Sequence, residues 1–241
     1  MRDFREYGIK AKLSAIGRIF CVDSCKGGVG KTTVASILSL VLKEENYSVG
    51  LLDLDFHGPT CHIVLGVPKF EYEEERGIKP YIHMGIRFAS IYPFVEDRYI
   101  ALRGRDLSNA ITEFVSIINW GELDILIIDM PPGMGDTFLD TIRYMPMAEH
   151  IIVTTGSRLS TATVSRLIAY LLDQKYKVAG VIENMKIDEI GHAKNLAQQY
   201  GIKYLGAIPY DESIEEVMGK PKKLLETKVA EAIRKIAKGI L

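Results

Sequence analysis

The run SCKGGVGKTT, Ser24 to Thr33, limits what this chain can become more than any other stretch. A strand-like apolar run, Ile19 to Val22, leads into it, and helix-forming residues Val34 to Leu42 follow directly. Strand, glycine-rich loop, lysine, hydroxyl and helix in that order are the parts of a phosphate cradle. Gly27, Gly28 and Gly30 let the backbone turn tightly so that successive N–H groups point at phosphate oxygens, and the helix N-terminus adds the positive end of its dipole. Lys31 is then expected on the β- and γ-phosphates and the Thr32 hydroxyl on Mg²⁺, with Val29 and Thr33 completing the nucleotide-binding loop. An ordinary Gly-rich turn before a helix would not need the lysine and hydroxyl at these two positions.

The remaining strand candidates are Val49 to Leu52, Ile125 to Ile128, Ile151 to Thr154, Val178 to Val181 and Tyr204 to Ala207, mostly followed by amphipathic stretches. Nearly continuous apolar runs alternating with helices predict an α/β fold of three layers. Its sheet is doubly wound and mostly parallel, with helices on both faces. Between Gly77 and Pro93 the pattern changes, and a turn signal at Met84 and Gly85 predicts a hairpin or edge pair. No Pro/Gly/Ser-rich linker or repeat divides the 241 residues, so one domain is expected, with a short extension over residues 1–17 and a terminal helix from about 222 to 239. A net charge of −1 gives no electrostatic reason for a nucleic-acid partner. The N-terminal residues lack the apolar core of a signal peptide and no apolar run reaches bilayer-spanning length, so a cytoplasmic protein is expected. Cys21, Cys25 and Cys61 are odd in number and show no CxxC spacing, which argues for reduced thiols.

Two acidic motifs follow the loop. In LLDLDFHGPT, Leu51 to Thr60, Asp53 and Asp55 stand two apart at a strand end and are expected to point the same way, toward the phosphates. In GELDILIIDMPPGMGDT, Gly121 to Thr137, an apolar strand ends at Asp129, whose carboxylate is expected to hold Mg²⁺ directly or through water. The turn at Pro131, Pro132, Gly133 and Gly135 is a candidate γ-phosphate switch.

The loop departs from the usual formula, which has Gly where this chain has Cys25, and it carries a second lysine, Lys26. A lysine there cannot readily reach the phosphates its own loop encircles, but it can reach across a subunit interface. The KGGVGKT form resembles the deviant Walker A motif of the MinD/ParA/Mrp group of P-loop ATPases. That resemblance implies an ATP-sandwich homodimer in which Lys26 contacts the partner's nucleotide, Asp55 positions the attacking water, and Asp53 supports the Mg²⁺ shell through water. LLDLDFHGPT, LRGRD, WGELDILIIDMPPGMGDT and GVIENM resemble the Mrp branch more closely, whose members assemble metal centres. The likeness runs from about Ile19 to Pro209. It implies that Asn184 reads the adenine ring and that the turn at Pro209 and Tyr210 walls the base pocket.

Most Mrp-type iron–sulfur carriers place a CxxC shortly after the ENM segment; here ENMKIDEIGHAKN holds no cysteine and none follows Cys61. The bridging cluster of that type cannot form, so the cargo is expected on a partner or on different ligands. An engine without those cysteines is similar to the ATPase-type HypB proteins of nickel–iron hydrogenase maturation. That likeness implies nickel delivery with a HypA-type chaperone as the leading reading and an iron–sulfur carrier as the alternative. His57, Cys61 and His62 form a tempting transition-metal group, though a packed cysteine explains Cys61 equally. Cys25, beside two lysines and a helix N-terminus, is either a thiol of lowered pKa or simply a small residue. The stripe Leu224, Leu225, Val229, Ile233, Ile236 and Ile240 keeps a membrane-anchored, MinD-like positioning ATPase alive, against the plainer expectation that this helix docks on the sheet.

Overall fold

The computed structural model describes residues 4–95, 102–187 and 191–241. Among them eight strands form one sheet: β1 (Ile16–Asp23), β2 (Val49–Asp53), β3 (Tyr81–His83), β4 (Ile86–Ser90), β5 (Leu123–Asp129), β6 (Glu149–Thr155), β7 (Lys177–Lys186) and β8 (Tyr204–Pro209). The order is β3-β4-β2-β5-β1-β6-β7-β8, parallel throughout except where β3 meets β4. The helices are α1 (Phe4–Leu13), α2 (Lys31–Glu44), α3 (Cys61–Leu65), α4 (Tyr92–Val95), α5 (Gly104–Ile117), α6 (Asp136–Tyr144), α7 (Arg158–Asp173), α8 (His192–Gln199), α9 (Ser213–Val217), α10 (Pro221–Leu224) and α11 (Lys228–Ile240). This is the three-layer, doubly wound α/β architecture that the alternating pattern predicts.

The period-two alternation of the strands divides the core into two layers. Ile19, Cys21, Leu126, Ile128 and Ile152 face α1, α5, α6, α7 and α8. Phe20, Val22, Ile125, Ile127, Ile151 and Val153 face α2, α3 and α11. Side chains fully removed from water, such as Phe20, Leu51 and Ile37, contribute about 1.5–3 kcal/mol each. All six runs read as strands are strands. The expected hairpin is present as β3 and β4, turning at Met84 and Gly85, both at positive φ.

The chain ends differ from expectation. Of the stretch over residues 1–17, residues 4–17 hold a helix and the first residues of β1, with Ile9 and Leu13 buried and Lys12 Nζ donating to the Ser116 carbonyl at 2.7 Å; residues 1–3 lie outside the described residues. The terminal stretch is two helices, because Thr227 caps α11, its hydroxyl accepting from Ala230 N at 3.2 Å. Leu224, Val229, Ile233, Ile236 and Ile240 are buried in the layer that includes α2. The apolar stripe is therefore occupied by packing on β8 and α2, not displayed for a lipid surface. No helix among the described residues is long and apolar enough to cross a membrane.

One glycine anchors the segment between β2 and β3. Gly66 ends α3 at φ 64°, and a Cβ there would stand 2.2 Å from the Gly219 carbonyl oxygen. Neither backbone can yield without moving a turn. Gly66→Ala is expected to lower the melting temperature by about 5–10 °C in calorimetry.

Candidate functional site

The site forms at the carboxyl ends of the central strands, where the strand order reverses beside β1 and open α/β sheets place their ligands. β1 ends at Asp23, the loop occupies Ser24 to Gly30, and α2 begins at Lys31. Gly30 takes φ 78° and ψ 23° at the helix N-cap. A Cβ on Gly30 would lie 2.3 Å from Asn184 Nδ2, so this position excludes side chains twice over. Asn184, near the tip of β7, donates from Nδ2 to the Val29 carbonyl at 2.8 Å and so ties the loop to the sheet.

Lys31 and Thr32 converge on Asp129. Lys31 Nζ lies 2.5 Å from Asp129 Oδ1, and Thr32 Oγ1 donates to Oδ2 at 2.7 Å. Burial alone would lower the Lys31 ammonium, but the charge and hydrogen bond of Asp129 outweigh it and hold it above its usual range. Asp53, fully buried, accepts from Asp55 N and Cys61 N at 3.1 Å each. Burial, then the charge of Asp129, pushes its carboxyl up to about 7. A folded-state value above the unfolded carboxylate's means that the native chain holds this proton more tightly. Stability therefore falls as pH rises through the window from about 4 to about 7. Asp53→Asn removes that term, so the nucleotide-free variant is expected to melt several degrees above the parent near pH 8, with the gap shrinking toward about pH 5. Thr32, Asp53 and Asp129 are hard oxygen donors of the kind that suit Mg²⁺.

Asp53 and Asp55 meet different surroundings. β2 ends at Asp53, so the strand alternation that would align them stops there. Asp55 sits on the following loop, where its Oδ1 accepts from Gly58 N at 3.2 Å. It lines a small cavity of about 170 Å³ with His57, Pro131, Pro132, Gly135 and Thr137. The turn after β5 is joined to the phosphate loop by Gly133 N donating to the Ser24 carbonyl at 2.9 Å. A second cavity of about 350 Å³ brings Asn184, Pro209 and Tyr210 together with Gly30 and Thr33. Lys26 is half-buried, its carbonyl accepting from Ser24 Oγ at 3.0 Å, while Gly27 and Gly28 are exposed.

The His57, Cys61 and His62 group does not assemble. His57 is exposed on the turn, His62 stacks on Tyr92 with ring centroids 3.7 Å apart, and Cys61 turns inward from the start of α3. Among the described residues the metal-ligating atoms that do meet are those of Asp53, Cys61 and Asp129. Cys25 is no low-pKa thiol: burial, then the charge of Asp23, pushes it up to about 11. Residue-by-residue reading also missed the buried pair of His150 Nδ1 and Asp23 Oδ2, 2.7 Å apart beneath the loop. Burial raises the Asp23 carboxyl, with His150 opposing that rise. The available signal was a polar residue at a buried position of each strand, Asp23 closing β1 and His150 near the start of β6.

A family model described as ParA, NUBPL iron-transfer P-loop NTPase, matches residues 15–241. The chain is 37% identical over 225 residues to an iron-sulfur cluster carrier protein of Saccharolobus solfataricus, covering 86% of this chain and 76% of that one. It is 33% identical over 230 residues to the iron-sulfur cluster transfer protein NUBPL of Dictyostelium discoideum, covering 88% and 71%. The structure resembles a nucleotide-binding protein of Archaeoglobus fulgidus in complex with ADP, in which cobalt was found, at TM-score 0.79 and 29% identity over 94% of this chain and 95% of that one. The cell division ATPase MinD of Pyrococcus furiosus shares the fold at TM-score 0.68 and 21% identity, covering 93% and 98%. The expectation of nickel delivery finds no support in these relatives, whose names favour the iron–sulfur alternative.

Proposed function

Because the chain belongs to the NUBPL iron-transfer family of P-loop NTPases, we propose that it is a Mg·ATP-dependent switch ATPase serving iron–sulfur cluster assembly or transfer. The observation that carries the ATPase reading is the convergence of Lys31 and Thr32 on Asp129 at the base of a glycine-lined loop. In this reading the loop N–H groups and Lys31 bind the phosphates, and Asn184 and Pro209 receive the base in the cavity they share with Gly30 and Thr33. Thr32 and Asp129 hold Mg²⁺, with Asp53 behind them. When bound, the ion neutralises charge on the β- and γ-phosphates. Asp55 orients water from the cavity opposite the Pro131 turn, and Lys26 of a second copy offsets transition-state charge. Lys26→Ala is expected to weaken ATP-driven dimerisation in sedimentation velocity; an unchanged dimer would sink the trans-lysine role.

The cargo is held elsewhere. Cys21 and Cys61 are buried, Cys25 is half-buried, and the three form no CxxC pair, so in this reading the cluster's ligands come from a partner. Residues 188–190, within the segment where a cysteine pair would fall, lie outside the described residues. A pull-down from native extract with Asp55→Asn loaded with Mg·ATP tests the assignment. Apo iron–sulfur proteins or scaffold components are the expected captures. Recovery of a nickel chaperone and hydrogenase-maturation factors instead would restore the nickel reading.

A further inference from the structure

The thiol of Cys61 lies where a magnesium site has no use for one. Asp53 ends β2, Cys61 opens α3 and Asp129 ends β5, yet their ligand atoms all fall within 4.8 Å of one another, and all three residues are 0% exposed. Cys61 Sγ is 3.7 Å from Asp129 Oδ2, and Cys61 N donates to Asp53 Oδ2 at 3.1 Å, which fixes the thiol against both carboxylates. Burial, then the charges of Asp53 and Asp129, pushes the Cys61 thiol well above its usual range, with Lys31 and the Ser36 hydroxyl opposing that rise; Ser36 Oγ is itself fully buried with no hydrogen bond of ordinary geometry. An apolar packing role explains a small side chain here, but it does not explain sulfur and two carboxylates converging at fully buried positions.

Carboxylates suit magnesium, whereas a thiolate selects softer ions, and a mixed set suits borderline first-row divalent cations. Lys31 already places a cation on Asp129 Oδ1 in this structure. A metal and Lys31 therefore compete for that carboxylate, and a ligand that attracts the lysine's charge releases it. We propose that Asp53, Cys61 and Asp129 form a thiolate-containing site for a borderline divalent metal ion of the zinc, cobalt or ferrous class, which opens when nucleotide phosphates draw Lys31 away from Asp129. The inference rests on the nucleotide reading above and adds that a softer ion competes with magnesium for Asp129, with Cys61 as the ligand that favours it. On binding, the Cys61 S–H bond breaks, the metal–sulfur bond forms and the proton leaves to solvent; no electron is transferred.

The test uses the full chain with Co²⁺ as probe, with and without ADP, and calorimetry with Mg·ADP in parallel. The expected result is a sulfur-to-cobalt charge-transfer band in the near ultraviolet that is several-fold stronger with ADP and disappears in Cys61→Ser. In competition with excess magnesium, Cys61→Ser is also expected to retain zinc about tenfold less well than the parent. Nucleotide and cobalt binding to the parent without the band would overturn the thiolate site and leave the ATPase reading intact. A band that persists in Cys61→Ser would overturn it equally. If the parent binds no nucleotide, both readings fall. Should Cys61→Ser fold poorly, Cys61→Ala is read in its place, and absence of the band in the nucleotide- and cobalt-bound parent overturns the site without either variant.

Discussion

Lys31→Ala is expected to reduce ATP hydrolysis by about 10²–10³-fold or more, because in the proposed reading the side chain brings to the phosphates the one buried Lys or Arg among the described residues. The same change should be visible without nucleotide. Lys31 is 6% exposed and pairs with Asp129, which is 0% exposed. Removing it leaves the Asp53 and Asp129 carboxylates buried together without a counter-charge, a loss on the order of 3–5 kcal/mol when nothing compensates. Part of that loss is offset as one carboxyl takes up a proton. The sign is fixed: a carboxyl whose folded value rises further binds its proton more tightly in the native state, so the deficit is largest at high pH and shrinks as pH falls. Melting temperatures of parent and variant across pH, beside phosphate-release rates, read both effects. A variant as stable as the parent near pH 8 would mean that Lys31 does not carry the charge balance of the empty site.

The Asp55→Asn variant is expected to keep its nucleotide and lose turnover by about 10²–10⁴-fold. The separation follows from where Asp55 sits. Its Oδ1 accepts from Gly58 N, and an asparagine oxygen can accept the same bond, so the loop should hold its shape. What is lost is the negative charge facing the Pro131 to Thr137 turn. Equilibrium binding of ATP within a few-fold of the parent, with an ATP-loaded dimer accumulating, is the expected outcome. Turnover at the parent's rate would show that Asp55 does not position water, and weakened binding would show that it supports the loop.

Features written in local pattern were legible in the sequence. The phosphate loop, the parallel strands and the Met84–Gly85 hairpin each depend on residues adjacent in the chain, and each is where the pattern places it. Features set by where an element stops were not. Asp53 and Asp55 meet different surroundings because β2 ends between them, and no spacing rule announces that end. Thr227 carries a cap signal, but the apolar stripe running through it reads as a single helix. Long-range meetings were the least legible. Cys61 reaches Asp129 across 68 positions and His150 reaches Asp23 across 127. The sequence places Cys61 beside two histidines, and only the fold places it beside two carboxylates.

Asn184 holds the Val29 carbonyl with its amide nitrogen and also lines the cavity with Pro209 and Tyr210. A single side chain thus serves both the loop and the recess. A group that engages this amide from the recess alters the hold on the loop, and a group that reshapes the loop displaces the amide by the same hinge. Fragments of a nucleotide should therefore not bind as independent halves: a base-bearing fragment and a pyrophosphate fragment would each change the other's affinity, by equal factors in both directions.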